Sequence, residues 1–347
     1  MSTVKKIGLL TGGGDCPGLN AVIRAITKKS HTQNISTIGL LDGWDGLLKE
    51  RFIELNPRKV SGILPQGGTI LGTSRTNILK NDQTIQLAFA NFKKLNLDAL
   101  ITIGGEGTLT VASEMFKKGM PIVGVPKTID NDVNGTDFTF GFDTAVSIAT
   151  EAIDRLHTTA ESHSRVMILE VMGRHAGWIA TYSGIAGGAD AILIPEYPLS
   201  VEEISQILNK RHQTGKKFSI VVVAEGAPLI QNNKAKKIHK NRYDDFGRPL
   251  LGGIASHLAL ELEKECNIDA RVTVLGYVQR GGIPTARDRF LATQFGLKAV
   301  DLVKNQKFGF MSAIKSAQFC STSLSEATQS LKTIDENTWN TAKEFFN

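Results

Sequence analysis

Two acids separated by one residue, Asp130 and Asp132 in PKTIDND, follow the apolar run Ile122 to Val125. The two acids are expected to take different tasks, one toward a substrate hydroxyl and one toward structure or a metal ion. An Asx-turn accounts for either acid taken singly, less well for two acids beside Lys127 and Thr128. Upstream, two glycine-rich turns join aliphatic runs to helix-like patterns: TGGGDCPGLN, Thr11 to Asn20, and GGEGT, Gly104 to Thr108. Side-chain-free backbone lets a ligand approach closely, and the N–H groups and dipole of a helix start favour an anion. TGGGDCPGLN is therefore either a phosphate contact or a merely tight strand-to-helix turn. It is not a dinucleotide fingerprint, because GxGxxG laid on Gly12 and Gly14 meets Pro17, and not a Walker A loop, because Leu19 and Asn20 replace Lys and Ser/Thr. In GGEGT, Glu106 suits Mg²⁺, which takes one or two carboxylates plus phosphate oxygens; the alternative is a helix-start charge complementing the dipole.

Five arginines, Arg75, Arg165, Arg174, Arg271 and Arg280, are read as following strands or glycines. Guanidinium forks fit phosphate oxygens, so the set suggests a doubly phosphorylated reaction partner, although a surface ion pair explains any one of them. No serine elbow or nucleophilic cysteine stands out, and His157, His175 and His257 lack metal-ligand spacing.

The elements that must carry these residues repeat as strand, glycine turn, helix. Strands are expected at Ile7 to Thr11, Ala99 to Ile103, Ile122 to Val125 ending at Pro126, Val166 to Val171, Ile220 to Ala224 and Val272 to Gly276; Leu19 to Lys29 reads as a helix. Strands apolar throughout are what a parallel sheet covered on both faces requires. The class is α/β, doubly wound, with chemistry at the strand carboxyl ends where the motifs should converge. The lysine-rich stretch from Gln231 to Arg248 has no apolar periodicity and reads as an exposed insertion.

The chain has 347 residues, 41% of them apolar and 21% charged, enough for two domains or one large α/β unit and incompatible with disorder. Its net charge of +6 is scattered apart from a run at Lys234 to Arg242, which does not imply nucleic acid. Cys16, Cys266 and Cys320 form no CxxC, and no signal peptide or membrane span is evident, so a reducing cytoplasm is the expected location.

In order and spacing, TGGGDCPGLN, GTSR, GGEGT, PKTIDND, SRVMILEVMGR, VAEGA and LGYVQRGG resemble the 6-phosphofructokinases over essentially the whole chain. The resemblance implies two Rossmann-like domains with the active site between them: residues 1–141 plus 279–329 for the nucleotide, and 142–278 plus 330–347 for fructose 6-phosphate. It implies phosphoryl transfer from ATP to O1 of fructose 6-phosphate, the committed step of glycolysis, with Mg²⁺. By motif, Gly14, Arg75, Gly105, Gly107 and Thr108 should line the donor phosphates, and Glu106 should hold the metal. Asp130 matches the catalytic base, flanked by Thr128 and Asp132. Met172, Gly173 and Arg174 match the segment holding the sugar and the transferring phosphoryl group, and Glu225 a sugar contact. Arg165, Arg271 and Arg280 match the sugar-phosphate cradle, part of which the family takes from a neighbouring subunit, so a homodimer or homotetramer is implied.

This chain departs from the familiar bacterial pattern in several places. Glu106 replaces Asp, Tyr277 replaces a sugar-phosphate-contacting His, and Trp44 replaces a Tyr; Lys28 and His157 replace effector-binding arginines. Together these resemble the actinobacterial-like, mixed-substrate branch. Pyrophosphate users usually carry Asp at the position of Gly107 and Lys at that of Lys127, and ATP users glycine at both. This chain has one of each, and its open Gly107 favours ATP, with a pyrophosphate-dependent enzyme the alternative. A lipid or NAD kinase, which shares a GGDGT-like turn, leaves PKTIDND and the arginines unexplained.

Overall fold

A computed structural model describes residues 4–231, 234–236, 251–266 and 269–346. Contacts divide the chain into two units, Met1–Thr144 with Arg280–Leu331 and Ala145–Gln279 with Lys332–Asn347. Strands and helices are numbered along the chain.

The first unit is built on an eight-stranded sheet. Its strands are β1 (Lys6–Thr11), β2 (Ser36–Leu40), β3 (Phe52–Leu55), β4 (Ala99–Gly104), β5 (Ile122–Thr128), β6 (Phe140–Gly141), β13 (Phe310–Lys315) and β14 (Gln318–Ser323). They run in the order β14-β13-β5-β4-β1-β2-β3, with β6 on β5. The inner pairings are parallel, as expected, but both edges are antiparallel: β3 on β2 and β14 on β13. These edges were not legible as apolar runs because β3 alternates, with Phe52 exposed and Leu55 buried. The helices of this unit are α1 (Leu19–Thr32), α2 (Trp44–Leu48), α3 (Asp82–Lys94), α4 (Glu106–Lys117), α9 (Ala286–Lys304) and α10 (Leu324–Gln329), and α5 (Phe142–His163) begins in it. Leu19, Val22, Ile23 and Ile26 form the buried stripe of α1. At about 1.5–3 kcal/mol for each large aliphatic side chain removed from water, such stripes drive the helices onto the sheet.

Contrary to the sequence reading, β5 does not stop at Pro126. It continues to Thr128, because the ladder changes partner there: Gly104 of β4 stands opposite Pro126, and Phe140 of β6 opposite Lys127. A residue without an N–H is tolerated where the pairing hands over.

The second unit carries a four-stranded parallel sheet in the order β12-β7-β9-β8, from β7 (Val166–Val171), β8 (Ala191–Leu193), β9 (Ser219–Ala224) and β12 (Ala270–Val274). Its helices are α6 (Trp178–Ala186), α7 (Val201–Gln213), α8 (Ile254–Cys266) and α11 (Glu336–Lys343). Ile168, Val221, Val223, Ile204, Leu208 and Leu258 meet in its core. The sequence places β12 two residues late, so Arg271 lies inside the strand. At the start of the expected insertion, β10 (Leu229–Gln231) pairs antiparallel with β11 (Lys234–Lys236); residues 232–233 and 237–250 lie outside the described residues. Among the described residues no helix is long and apolar enough to cross a membrane.

Candidate active site

In the first unit the chain leaves β1 toward β2 on one side and later places β4 on the other, so the turns after β1 and β4 part at a topological switch point, where open α/β sheets take ligands. Gly12–Asp15 and Gly105–Glu106 occupy those turns. They are mutually close: a Cβ on Gly12 would strike the side chain of Thr108. Ser74 O accepts the Gly13 N–H at 3.1 Å and the Thr73 hydroxyl donates to Gly13 O at 2.6 Å, which lays the GTSR segment and exposed Arg75 along the first turn. No side chain caps α4 at Gly105, and Glu106 and Gly107 are its first two residues. The first-turn N–H groups and the positive end of the helix dipole favour an anion there.

The end of β5 joins this group. Lys127 is 2% exposed, and its Nζ donates to Gly14 O. Burial pushes its pKa down, reinforced by Arg280 and opposed by Cys16 and Asp130. Cys16, wholly buried nearby, has its thiol pushed up to about 12 by the same desolvation and is an inert packing residue. Arg280 is 9% exposed, donates from Nη1 to Asp15 O at 3.2 Å, and lies so close over Gly14 that a Cβ there would overlap the guanidinium. Its Nε is buried without a hydrogen-bond partner among the described residues. Asp130 is 4% exposed, its N–H donates to Thr128 Oγ at 3.1 Å, and its Oδ1 is likewise buried and unpartnered. An unpaired buried carboxylate oxygen costs on the order of 1–3 kcal/mol or more, and a ligand hydroxyl could supply the missing donor. Thr108, Thr128 and Asp132 are buried in the same unit.

In the second unit Met172, Gly173 and Arg174 leave the carboxyl end of β7 and Glu225 that of β9. The Arg174 N–H donates to Glu225 Oε1 at 3.2 Å, and the Met172 N–H to Gln279 Oε1 at 2.8 Å. Arg174 takes a left-handed φ of 53°, uncommon for a long side chain and held here by that carboxylate. Tyr277 follows β12 and is 76% exposed. Arg165 and Arg271 do not join these residues, and their placement corrects the reading that the five arginines follow strands or glycines, since these two follow neither. Arg165 precedes β7 and Arg271 is the second residue of β12, so both sit at the amino end of the sheet. There Arg165 Nε lies 2.5 Å from Asp269, which also pairs with Arg271. β7 is six residues long, roughly 20 Å of strand between the two groups.

Sequence reading missed Gln279, wholly buried, and Asn131, whose φ of 52° and Oδ1 acceptance of the Thr139 N–H at 3.0 Å shape the turn after Asp130. Asparagine's tolerance of left-handed backbone was the one available signal.

A family model described as Phosphofructokinase matches residues 6–303. The chain belongs to the phosphofructokinase family. Like that family it is a phosphotransferase acting on an alcohol group. It is 52% identical to the pyrophosphate–fructose 6-phosphate 1-phosphotransferase of Streptomyces coelicolor, over 98% of this chain and 99% of that one. It is 49% identical to the ATP-dependent 6-phosphofructokinase of Corynebacterium efficiens, again over 98% and 99%. Among solved structures, Pichia pastoris phosphofructokinase in the T-state aligns with a TM-score of 0.83 at 33% identity, covering 99% of this chain and 37% of that longer one.

Proposed function

We propose that this phosphofructokinase transfers the γ-phosphoryl group of ATP to O1 of fructose 6-phosphate. The observation that carries the reading is the buried, unpartnered Oδ1 of Asp130 at the end of β5. Asp130 accepts the O1 proton as the hydroxyl attacks, and Thr128, bonded to its backbone, keeps it in place. Gly14, Arg75, Gly105, Gly107 and Thr108 receive the donor phosphates. Met172, Gly173, Arg174, Glu225 and Tyr277 receive the sugar, and Arg174 also steadies the moving phosphoryl group. Arg165, Arg271 and Arg280 bind the sugar phosphate. Positioning and charge neutralisation supply most of the rate, since phosphoryl transfer asks little covalent chemistry of the protein.

The donor set fits Mg²⁺. Glu106 opens α4 beside the glycine turn, and one carboxylate there suits an ion that arrives on phosphate oxygens. Held by Glu106 and those oxygens, Mg²⁺ would offset the charge of the phosphates.

ATP is favoured as donor because glycine at 107 places no side chain in the first turn of α4, whereas the Nζ of Lys127 is already engaged by Gly14 O. Exclusion of a nucleotide needs an obstacle. The second reading, pyrophosphate as donor, draws on that same buried Lys127 and on the named activity of the Streptomyces relative. Turnover of fructose 6-phosphate with ATP, other nucleotides and pyrophosphate in parallel separates them: ATP should support turnover and pyrophosphate little or none, and the reverse result would transfer the assignment to Lys127. The amino-end position of Arg165 and Arg271 supports a homo-oligomer in which these arginines serve a neighbouring subunit's sugar phosphate.

A further inference from the structure

Three parts of the first unit converge on the two residues of β6. Lys127 and Thr128 of β5 stand in register with Phe140 and Gly141. From the first glycine turn, Cys16 Sγ donates to Phe140 O at 3.6 Å. From α9, Asp288 reaches back with both oxygens. Its Oδ1 accepts the Gly141 N–H at 2.9 Å, and its Oδ2 accepts the Thr144 N–H at 2.8 Å and the Thr144 hydroxyl at 2.5 Å. Thr144 Oγ in turn accepts the Thr285 N–H at 3.1 Å, and Thr285, the N-cap of α9, accepts the Asp288 N–H at 3.2 Å. The carboxylate thus clamps the junction of β6 and α5 from both sides, and it is completely buried. Gly141 cannot be replaced to simplify this junction: its φ is 98°, and a Cβ would press into Cys16 Sγ.

The connection runs on to the reacting groups. The Thr139 hydroxyl donates to Thr128 O at 2.7 Å, and the Thr139 N–H to Asn131 Oδ1. The backbone on either side of Asp130 is therefore tied to residues 139–141, and that stretch is tied to Asp288. A buried carboxylate is expensive. Burial here drives its pKa up despite three donors.

We propose that Asp288 is a positioning residue for phosphoryl transfer: through Gly141 it fixes the register of β6 on β5, and so the backbone from Thr128 to Asp130 that presents the Asp130 carboxylate. The inference rests on the reading of Asp130 as base. A shift of the base by about 1 Å costs on the order of 10²-fold in rate. An asparagine could not replace the carboxylate, because its amide nitrogen would face an N–H that now has an acceptor.

The test is a double-mutant cycle with ATP and fructose 6-phosphate, read as kcat and both Michaelis constants on folded protein well below its melting temperature. Asp288→Asn should lower kcat by about 10- to 100-fold with both Michaelis constants within about threefold. Thr144→Val, a gentler change that withdraws one donor, should move kcat the same way by a smaller factor and keeps the test open if Asp288→Asn does not fold. In an Asp130→Asn background, Asp288→Asn should cost less than about twofold more, because its effect passes through a base already lost. A kcat at the parent value in the folded variants, with only the melting temperature lowered, would reduce Asp288 to a structural role and overturn the proposal. So would a full multiplicative loss in the Asp130→Asn background. Parent-like turnover by Asp130→Asn alone marks instead the failure of the base assignment.

Discussion

Asp130 and Asp288 are both buried carboxylates, distinguished by what their oxygens meet. Among the described residues Asp130 keeps one without a partner, whereas Asp288 spends both on backbone and hydroxyl donors. Asp130→Asn should therefore cost roughly 10²- to 10⁴-fold in kcat while leaving the Michaelis constants nearly unchanged, since it removes a base and adds little bulk. Steady-state kinetics returning turnover within a few-fold of the parent would remove Asp130 from the role. For Asp288 the measurable property is proton linkage. Its carboxyl is raised from 3.8 to about 6 by burial, with Asp143 adding to the effect. The folded chain holds the proton more tightly, so this group's contribution to stability is present below 3.8 and is lost as pH rises through about 6. Over that window the loss is about 3 kcal/mol. Denaturant unfolding at acid and neutral pH should show the stability difference between Asp288→Asn and the parent shifting toward the variant on going to neutral pH. A difference independent of pH would mean that Asp288 is not perturbed.

At the scale of the element, the proposed donor chemistry rests on α4 and β5. Gly107 is the second residue of α4, where an acid complements the helix dipole. Gly107→Asp should thus leave the melting temperature unchanged or slightly raised while severely impairing use of ATP, because the new charge opposes the donor phosphates. Retained ATP turnover in a folded variant would show that position 107 does not face the donor. Gly14 lies beneath Arg280, so Gly14→Ala must displace the guanidinium. The expected result is weaker binding of the sugar phosphate as well as of the donor, a double effect that a pure donor contact would not produce.

For the whole molecule, the decisive observation is the separation within the second unit. Arg165 and Arg271 flank Asp269 at the amino end of a sheet whose carboxyl end carries Met172, Arg174 and Glu225. Arg165→Ala and Arg271→Ala should each raise the Michaelis constant for fructose 6-phosphate far more than that for the donor, by the equivalent of about 2–5 kcal/mol for a lost guanidinium–phosphate contact. Mixing chains that carry Asp130→Asn with chains that carry both arginine changes should restore activity neither shows alone. Absence of restoration in verified mixed oligomers would place the arginines outside a shared site.

Sequence alone determined where the strand-end turns lie. TGGGD, GGEGT and MGR each follow a mainly aliphatic run, interrupted before MGR by the buried Glu170, and burial on both faces leaves that signature in consecutive residues. It also supplied the motifs by which the family is recognised. It did not reveal the alternating edge strand β3 or the continuation of β5 past Pro126, because each depends on which strand lies alongside. Only the tertiary structure decided that Lys127 meets Gly14 across 113 residues, that Asp288 meets Gly141 across 147, and that Arg280 meets Asp15 across 265. Contacts at such separation have no local periodicity or turn chemistry to announce them. They exist because parallel strands and their crossover helices bring distant chain segments to one edge of a sheet, where buried polar atoms must find partners.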